Sequence, residues 1–405
     1  MKRGREFEYR SRRAARRGWR VLLPEIAWAR FDWLILLFAL VLLGSGLAFV
    51  SAAFGANLDF GRSELSAGNP FVKHLKTIGI SIPVFLTGLY LRPSWLRRNA
   101  YLLYAAGIGL LALVPFIGID LNNARRWLAT PVGFNLQPSE PMKILLILAL
   151  GCALYRNRLT RLSDWVRPCA IALVPMLMVA AQPDLGTSLT IPPVTLGMLY
   201  LAGARGRTIV GLVLCGALFG FLAWSGGLIK DYQLRRIDTW AETLAPARLI
   251  QERNAAAYHA YNARVAVGNG GLRGEGLGQG IANRAGNLPE KESDSIWAVI
   301  AEELGLFGSG ALLLAYNLFA ILILRAAGEL RDRFSRLVVG GIGIYFAAHG
   351  FIHVGVNIGL LPMTGLTLPL FSTGGSSILA SFGALGLALG LTARRALALD
   401  EDAFR

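Results

Sequence analysis

Charged residues and cysteines are both scarce in this sequence. Asp, Glu, Lys and Arg make up 16% of its 405 residues, whereas hydrophobic residues make up 54%. One soluble core cannot bury that much apolar surface, which excludes an ordinary soluble domain and requires lipid as a solvent. The three cysteines lie in apolar stretches without paired spacing, so we expect small buried side chains and no disulfide framework.

Long apolar runs dominate what remains, and they do not alternate with polar residues, which favours helices over a β-barrel. The formal net charge is +16, but the basic residues lie at the ends of these runs. Residues 1–30 form a basic arm that we expect to contact anionic lipid from the cytoplasm. We expect no nucleic-acid partner, because a phosphate-binding surface would compete with membrane anchoring.

The fold predicted from these runs is all-α, a polytopic membrane protein with about ten transmembrane helices. Prolines 175, 183, 192 and 193 are expected to kink or break the fifth and sixth helices. The predicted spans lie near residues 33–53, 74–91, 100–119, 141–155, 166–181, 187–204, 208–226, 295–325, 337–358 and 377–393.

Arginines in alternate short loops orient these helices, because short cytoplasmic loops are enriched in basic residues. Both termini are then cytoplasmic, and residues 227–293 form a large extracytoplasmic loop between helices 7 and 8. This loop is expected to be functional, with residues 239–267 along the membrane interface; the alternative is a flexible tether. The predicted organisation is an arm at 1–30, a membrane domain at 31–396 and a cytoplasmic tail at 397–405.

A first polar cluster follows the third predicted helix. Arg125 and Arg126 are basic residues on the predicted outer side, and Glu140 and Lys143 share one face at the start of the next helix. Arginine and lysine suit phosphate oxygens, so this cluster predicts a site for a diphosphate headgroup. The alternative is an internal Glu–Lys ion pair with arginines that anchor to headgroups.

Two further clusters each present a carboxylate. Asp184 lies between two spans and is either a functional acid or the N-cap of the next helix, through Thr187 or Ser188. Asp294 lies at the start of the eighth span, where it is either a general base or an N-cap. The glycine run at 268–280 indicates a loop in which backbone approaches a substrate closely, and Glu302 and Glu303 are expected to hold a polar network.

A fourth cluster, residues 357–377, is rich in Gly, Pro, Ser and Thr. Such a segment is expected to line a cavity and would suit an ion or substrate path equally well. His349 and His353 have the spacing of a two-histidine metal site, but without a third ligand nearby we predict helix packing and no metal.

Together these motifs resemble the SEDS family, which includes the division and elongation glycosyltransferases FtsW and RodA and the related SpoVE. The resemblance extends in order over nearly all ten predicted helices. It rests on residues 124–127 (Ala-Arg-Arg-Trp), 137–140 (Gln-Pro-Ser-Glu) with Lys143, 183–187 (Pro-Asp-Leu-Gly-Thr), 288–290 (Leu-Pro-Glu), Asp294, 301–305 (Ala-Glu-Glu-Leu-Gly) and 361–377.

The resemblance implies a peptidoglycan glycosyltransferase of the inner membrane that polymerises lipid II onto an undecaprenyl-pyrophosphate glycan, with a monofunctional class B penicillin-binding transpeptidase as partner. It also implies that Asp294 is catalytic. Whether a divalent cation, Mg²⁺ or Mn²⁺, assists is left open. The implied substrate-binding residues are Arg125, Arg126, Trp127, Gln137, Ser139, Glu140, Lys143, Asp184, Glu290, Ser372, Gly374, Gly375 and Ser376.

Two motifs depart from the family pattern. His-Thr-Asp-Phe-Ile-Phe is replaced by Glu-Ser-Asp-Ser-Ile-Trp at 292–297, and Ser-Tyr-Gly-Gly-Ser by Ser-Thr-Gly-Gly-Ser at 372–376. Because the aspartate is retained, we expect an active enzyme with altered contacts beside it. The sequences at 276–279 and 365–369 favour the division type over the elongation type. The alternatives from other classes are a lipid flippase or transporter and an inactive division scaffold.

Overall fold

In the computed structural model, the long apolar runs of this chain form helices. The predicted tail at 397–405 and almost all of the arm at 1–30 lie outside the residues that the structure describes. The described residues are 31–53, 69–121, 124–130, 135–161, 163–182, 184–227, 238–241, 255–284 and 290–394, with the single positions 26, 28, 234, 236 and 288.

Every predicted span coincides with a helix. The helices are α1 Trp33–Ala53, α2 Pro70–Tyr90, α3 Pro93–Ile117, α4 Ser139–Leu154, α5 Ser163–Ala181, α6 Leu185–Leu201, α7 Gly206–Ser225, α8 Ala255–Asn269, α9 Ile281–Arg284, α10 Ile296–Gly328, α11 Arg333–Asn357 and α12 Gly375–Thr392.

Within the described part of the chain, six helices are long and apolar enough to cross a membrane: α1, α3, α5, α10, α11 and α12. This confirms a polytopic membrane protein. The figure of ten crossings and the sidedness of the loops stay predictions. Helices α5 and α6 continue through the prolines at which we expected kinks or breaks. Pro183 lies outside the described residues.

A small sheet between α3 and α4 departs from the all-α prediction. Strands β1 Ile119–Leu121, β2 Ala124–Ala129 and β3 Asn135–Leu136 pair antiparallel in the order β1-β2-β3. This sheet was not predicted, because its strands are short and Ala-Arg-Arg-Trp does not alternate between polar and apolar residues.

The core of the bundle lies along α4, α11 and α12, whose side chains are mostly buried. Helix α12 packs closely on α2 through glycines: a Cβ at Gly386 would lie 2.1 Å from the Phe85 carbonyl oxygen. Small residues let helices approach in this way within lipid. In contrast, α7 exposes most of its apolar side chains, as expected for contact with lipid, and Cys215 on this helix is exposed rather than buried.

Helix α10 is interrupted at Gly305, where φ is 65° and ψ is −170°. The segment 271–276, part of the glycine run, packs into this interruption and bonds to the backbone on both sides of it. Glu275 N and Gly276 N donate to the carbonyls of Glu302 and Glu303 at 3.0 Å. On the far side, Leu306 N donates to Gly271 O at 2.9 Å. The backbone of the glycine run therefore lies close to the backbone of α10.

Glu302, just before this interruption, is buried and acts as an acceptor. Its Oε1 accepts from Ala282 N at 2.8 Å and from Asn269 Nδ2 at 3.1 Å. These two bonds connect α10 to α8 and α9. The polar network predicted for this residue is therefore present.

Candidate active site

A cavity of about 230 Å³ opens where the turn before α10, strand β2, the long loop and the segment after α11 meet. It contains two carboxylates, Asp294 and Glu290, and two guanidinium groups, those of Arg126 and Arg236. The other described lining residues are Thr239, Trp240, His259, Ala260, Val356, Gly359, Leu361, Met363, Thr364 and Gly365. The segment after α11 thus lines a cavity, as predicted.

Asp294 is half-buried on this cavity. Ser295, not Asp294, is the N-cap residue of α10, so the capping alternative for Asp294 is wrong. The carbonyl oxygen of Asp294 accepts a hydrogen bond from Asn357 Nδ2 at 3.1 Å. Gly365, with φ of 69°, lies so close that a Cβ there would be 3.2 Å from Asp294 Oδ2. The backbone at Gly365 therefore lies against the carboxyl group of Asp294.

Burial in this cavity raises the pKa of Asp294 to about 7, and the negative charge of Glu290 acts in the same direction. The charge of Arg126 and a hydrogen bond from Ser293 oppose the rise. At neutral pH the group is therefore present in both protonation states in comparable amounts. Such a group can accept a proton from a substrate hydroxyl and later release it.

Ser372 and Thr373 hold the turn that carries Asp294. Ser372 Oγ donates to Ser293 O at 2.8 Å and accepts from Leu368 N at the same distance. The backbone N and the Oγ1 of Thr373 both donate to Glu292 O, at 2.9 and 3.1 Å. The residues that depart from the family motifs at positions 292 and 373 are therefore in direct contact.

The start of α12 is joined to β3. Ser376 Oγ accepts from Gln137 N at 2.8 Å and donates to Asn135 O at 3.1 Å. Gly374 is the N-cap residue of α12 and Gly375 its first residue. In this structure, these predicted substrate-binding residues connect parts of the protein, and their role toward a substrate stays a prediction.

Strand β2 separates the two arginines that the sequence analysis placed together. Arg126 is half-buried and lines the cavity, and its Nη1 lies 3.6 Å from Asp184 Oδ1. Arg125 is exposed and pairs with Asp120 at 2.8 Å. Adjacent side chains of a strand point to opposite faces. Only Arg126 of the pair therefore lines the cavity, and Trp127, next along the strand, does not.

Asp184 is buried and fully engaged. It is the N-cap of α6, since its side chain accepts from Thr187 N at 3.2 Å, which bears out the capping interpretation. It also accepts from Gln137 Nε2 at 2.6 Å and from Ser139 Oγ at 3.3 Å. Asp184 therefore fixes the position of Arg126 from behind the cavity wall.

Glu140 and Lys143 form a buried ion pair, with Lys143 Nζ 2.7 Å from Glu140 Oε1. The same Nζ lies 2.9 Å from His349 Nε2. Neither residue lines the cavity, so the structure has the internal ion pair that we weighed as the alternative. Their assignment to a diphosphate stays a prediction.

The two histidines of the candidate metal site have other contacts. His349 Nδ1 lies 2.9 Å from Tyr345 O, and His353 Nδ1 lies 2.7 Å from Leu366 O. Among the described residues, no group of three or more His, Cys, Asp or Glu side chains is placed to hold a metal ion. Whether a divalent cation assists stays an open prediction.

Five lining residues of the long loop were not predicted as site residues: Arg236, Thr239, Trp240, His259 and Ala260. Trp240 Nε1 donates to Gly359 O at 3.0 Å, and His259 Nε2 lies 2.7 Å from Ser295 Oγ. Trp240 lies in the segment 239–267, for which only a position along the membrane interface was predicted. The density of aromatic and basic residues in this loop was the available signal, but it indicated a membrane surface equally well.

Known proteins resemble this chain in sequence along most of its length. The sequence model of a family of cell cycle proteins that comprises FtsW, RodA and SpoVE matches residues 32–396. A probable peptidoglycan glycosyltransferase FtsW of Halomonas elongata is 35% identical over 340 residues, or 80% of this chain and 81% of that protein. Another of Methylococcus capsulatus is 34% identical over 394 residues and covers 92% of each chain.

Solved structures agree with this match. A chain from work described as "Structural coordination of polymerization and crosslinking by a peptidoglycan synthase complex" has a TM-score of 0.74 at 26% identity, with 91% of this chain and 99% of that chain covered. The rod shape determining protein RodA of Thermus thermophilus has a TM-score of 0.66 at 24% identity and the same coverage. The likeness to RodA at this identity concerns the fold.

Proposed function

This chain belongs to the FtsW, RodA and SpoVE family of cell cycle proteins, and we propose that it is a peptidoglycan glycosyltransferase of the division type. Its substrate is lipid II, which it polymerises at the outer face of the inner membrane. The observation that carries the proposed mechanism is a half-buried carboxyl group, Asp294, on the same cavity as the guanidinium group of Arg126.

In this mechanism Asp294 is the general base. Its carboxylate accepts the proton of an acceptor sugar hydroxyl while the hydroxyl oxygen bonds to the anomeric carbon of the growing chain. The bond from that carbon to the diphosphate oxygen breaks, the electron pair leaves with the diphosphate, and the configuration inverts. General base catalysis of this kind contributes about 10²- to 10⁴-fold in rate.

Arg126 is suited to the leaving group, where negative charge increases most during the reaction. Its guanidinium group is held by Asp184, which is itself fixed by Gln137 and Ser139. A cation positioned before the reaction stabilises the developing charge without the cost of reorientation. Arg125 and Lys143 would have to leave their present partners to contact the same diphosphate.

The proposed partner is a monofunctional class B penicillin-binding transpeptidase. Support comes from the structural neighbour that belongs to a peptidoglycan synthase complex in which polymerisation and crosslinking are coordinated. The partner would crosslink the strands that this chain extends.

The test is glycan formation from lipid II by the purified chain together with its partner, measured on a gel of the products. Asp294→Asn is expected to slow polymerisation by about 10²- to 10⁴-fold. Glu275→Gln is the matched control, since Glu275 is an exposed carboxylate of the long loop outside the cavity. An Asp294→Asn protein that polymerises at the parent rate would show that Asp294 is not the general base. Lipid translocation by the parent without any glycan product would instead identify a transporter.

A further inference from the structure

The positive charge at this cavity is smaller than a diphosphate requires if Arg126 acts alone. A diphosphate carries at least two negative charges, whereas the charge of Arg126 is already balanced by Asp184 at 3.6 Å. The carboxylates Asp294 and Glu290 add negative charge to the same cavity. Anion sites of this kind normally combine several cationic donors. A further cation is therefore needed at the cavity wall.

We propose that Arg236, on the long loop, supplies this cation and forms with Arg126 a two-arginine clamp for the diphosphate of the lipid substrate. This inference rests on the proposed function and assigns a residue that the motifs do not include. Arg236 is half-buried and lines the cavity together with Arg126. Two guanidinium groups from separate segments can bind the two phosphoryl groups of one ligand through paired hydrogen bonds.

We infer that Trp240 keeps Arg236 at the cavity. Both residues have helical conformation, and their spacing of four places them on the same face. The indole Nε1 of Trp240 donates to the carbonyl oxygen of Gly359 at 3.0 Å, which anchors this part of the loop to the segment after α11. Arg126 is therefore placed by strand β2, whereas Arg236 is placed by the contact between the long loop and the segment after α11. Both arginines face the cavity only when that contact is made.

The test is binding of inorganic pyrophosphate to the purified full-length chain, measured by calorimetry independently of turnover. Arg236→Gln is expected to weaken binding by at least about tenfold, because it removes hydrogen bonds to a charged ligand. Arg236→Lys keeps the positive charge but loses the paired hydrogen bonds of the guanidinium group, and so should weaken pyrophosphate binding less than Arg236→Gln does. Trp240→Phe keeps a ring but removes the anchoring N–H, and should weaken binding as well.

Arg273→Gln is the matched control, because Arg273 is an exposed arginine of the same long loop that does not line the cavity. It should bind pyrophosphate as the parent does. Should Arg236→Gln fail to fold, as judged by thermal unfolding, Arg236→Lys and Trp240→Phe decide the question. Binding to these variants with parent affinity would overturn the clamp, as would a parent that binds no pyrophosphate.

These outcomes separate the clamp from the proposed function. If the parent forms glycan and Asp294→Asn does not, while Arg236→Gln binds pyrophosphate normally, the clamp alone fails. If the parent forms no glycan but binds pyrophosphate in a manner that depends on Arg236, the proposed function fails and the anion site stands.

Discussion

The pH dependence of polymerisation should report directly on Asp294. A general base acts in its ionised form, and the pKa of this carboxyl group is raised to about 7. About a tenth of the groups are then ionised at pH 6, half at pH 7 and nine-tenths at pH 8. We therefore expect kcat/KM for lipid II to rise about tenfold between pH 6 and pH 8. An aspartate with an ordinary pKa would give a flat profile over this range.

Glu290→Gln tests one physical cause of the raised pKa of Asp294. The negative charge of Glu290 disfavours ionisation of Asp294, so its removal should lower the pKa of Asp294 and move the midpoint of the profile to lower pH. Glu275→Gln, at an exposed carboxylate outside the cavity, should leave the midpoint in place. The measurement is the initial rate of glycan formation at limiting lipid II across pH 5 to 9, in buffers of about equal ionic strength. A midpoint near pH 4, or one that Glu290→Gln does not move, would refute this reasoning.

Two predictions concern the scaffold around the site. Gly274→Ala would place a methyl group 2.2 Å from the Glu303 carbonyl oxygen at a φ of 81°, so we expect a loss of about 3 kcal/mol in thermal unfolding. Gly268→Ala, where the methyl group meets open space in α8, should gain up to about 1 kcal/mol; equal effects would contradict the packing argument. Thr373→Val removes the hydroxyl bond to Glu292 O, which should cost about 1 kcal/mol and slow polymerisation. Thr373→Ser should behave as the parent, and a Val variant indistinguishable from Ser would argue against this bond.

The helices could be predicted from the sequence because lipid imposes one simple requirement. A span must be apolar over its length and must satisfy its own backbone groups, so each apolar run becomes a helix. The sheet β1-β2-β3 obeys no such requirement, since its strands are short and mix polar with apolar residues. The interruption of α10 at Gly305 was also missed, because the backbone N–H and carbonyl groups that bond to α10 there come from a loop about thirty residues earlier in the chain.

The candidate site could also be predicted in part from the sequence. Asp294, predicted as a general base or an N-cap, lies on a cavity, although its catalytic role stays a proposal. Arg125 and Arg126 were treated alike because they are adjacent in sequence, but a strand turns them to opposite faces. Arg236 and His259 reach the cavity only because the long loop docks on it. Such docking depends on contacts such as that between Trp240 and Gly359, which no local pattern reveals.

The seam between the glycine run and α10 has a mechanical consequence. Residues 296–304, just beyond Asp294, form two turns of helix whose far end is bonded to residues 271–276 rather than continuing straight into the rest of α10. These turns connect the acid at one end to the loop at the other. Any displacement of the loop would therefore reach the carboxyl group through the backbone of these turns, without any contact with the sugar substrate.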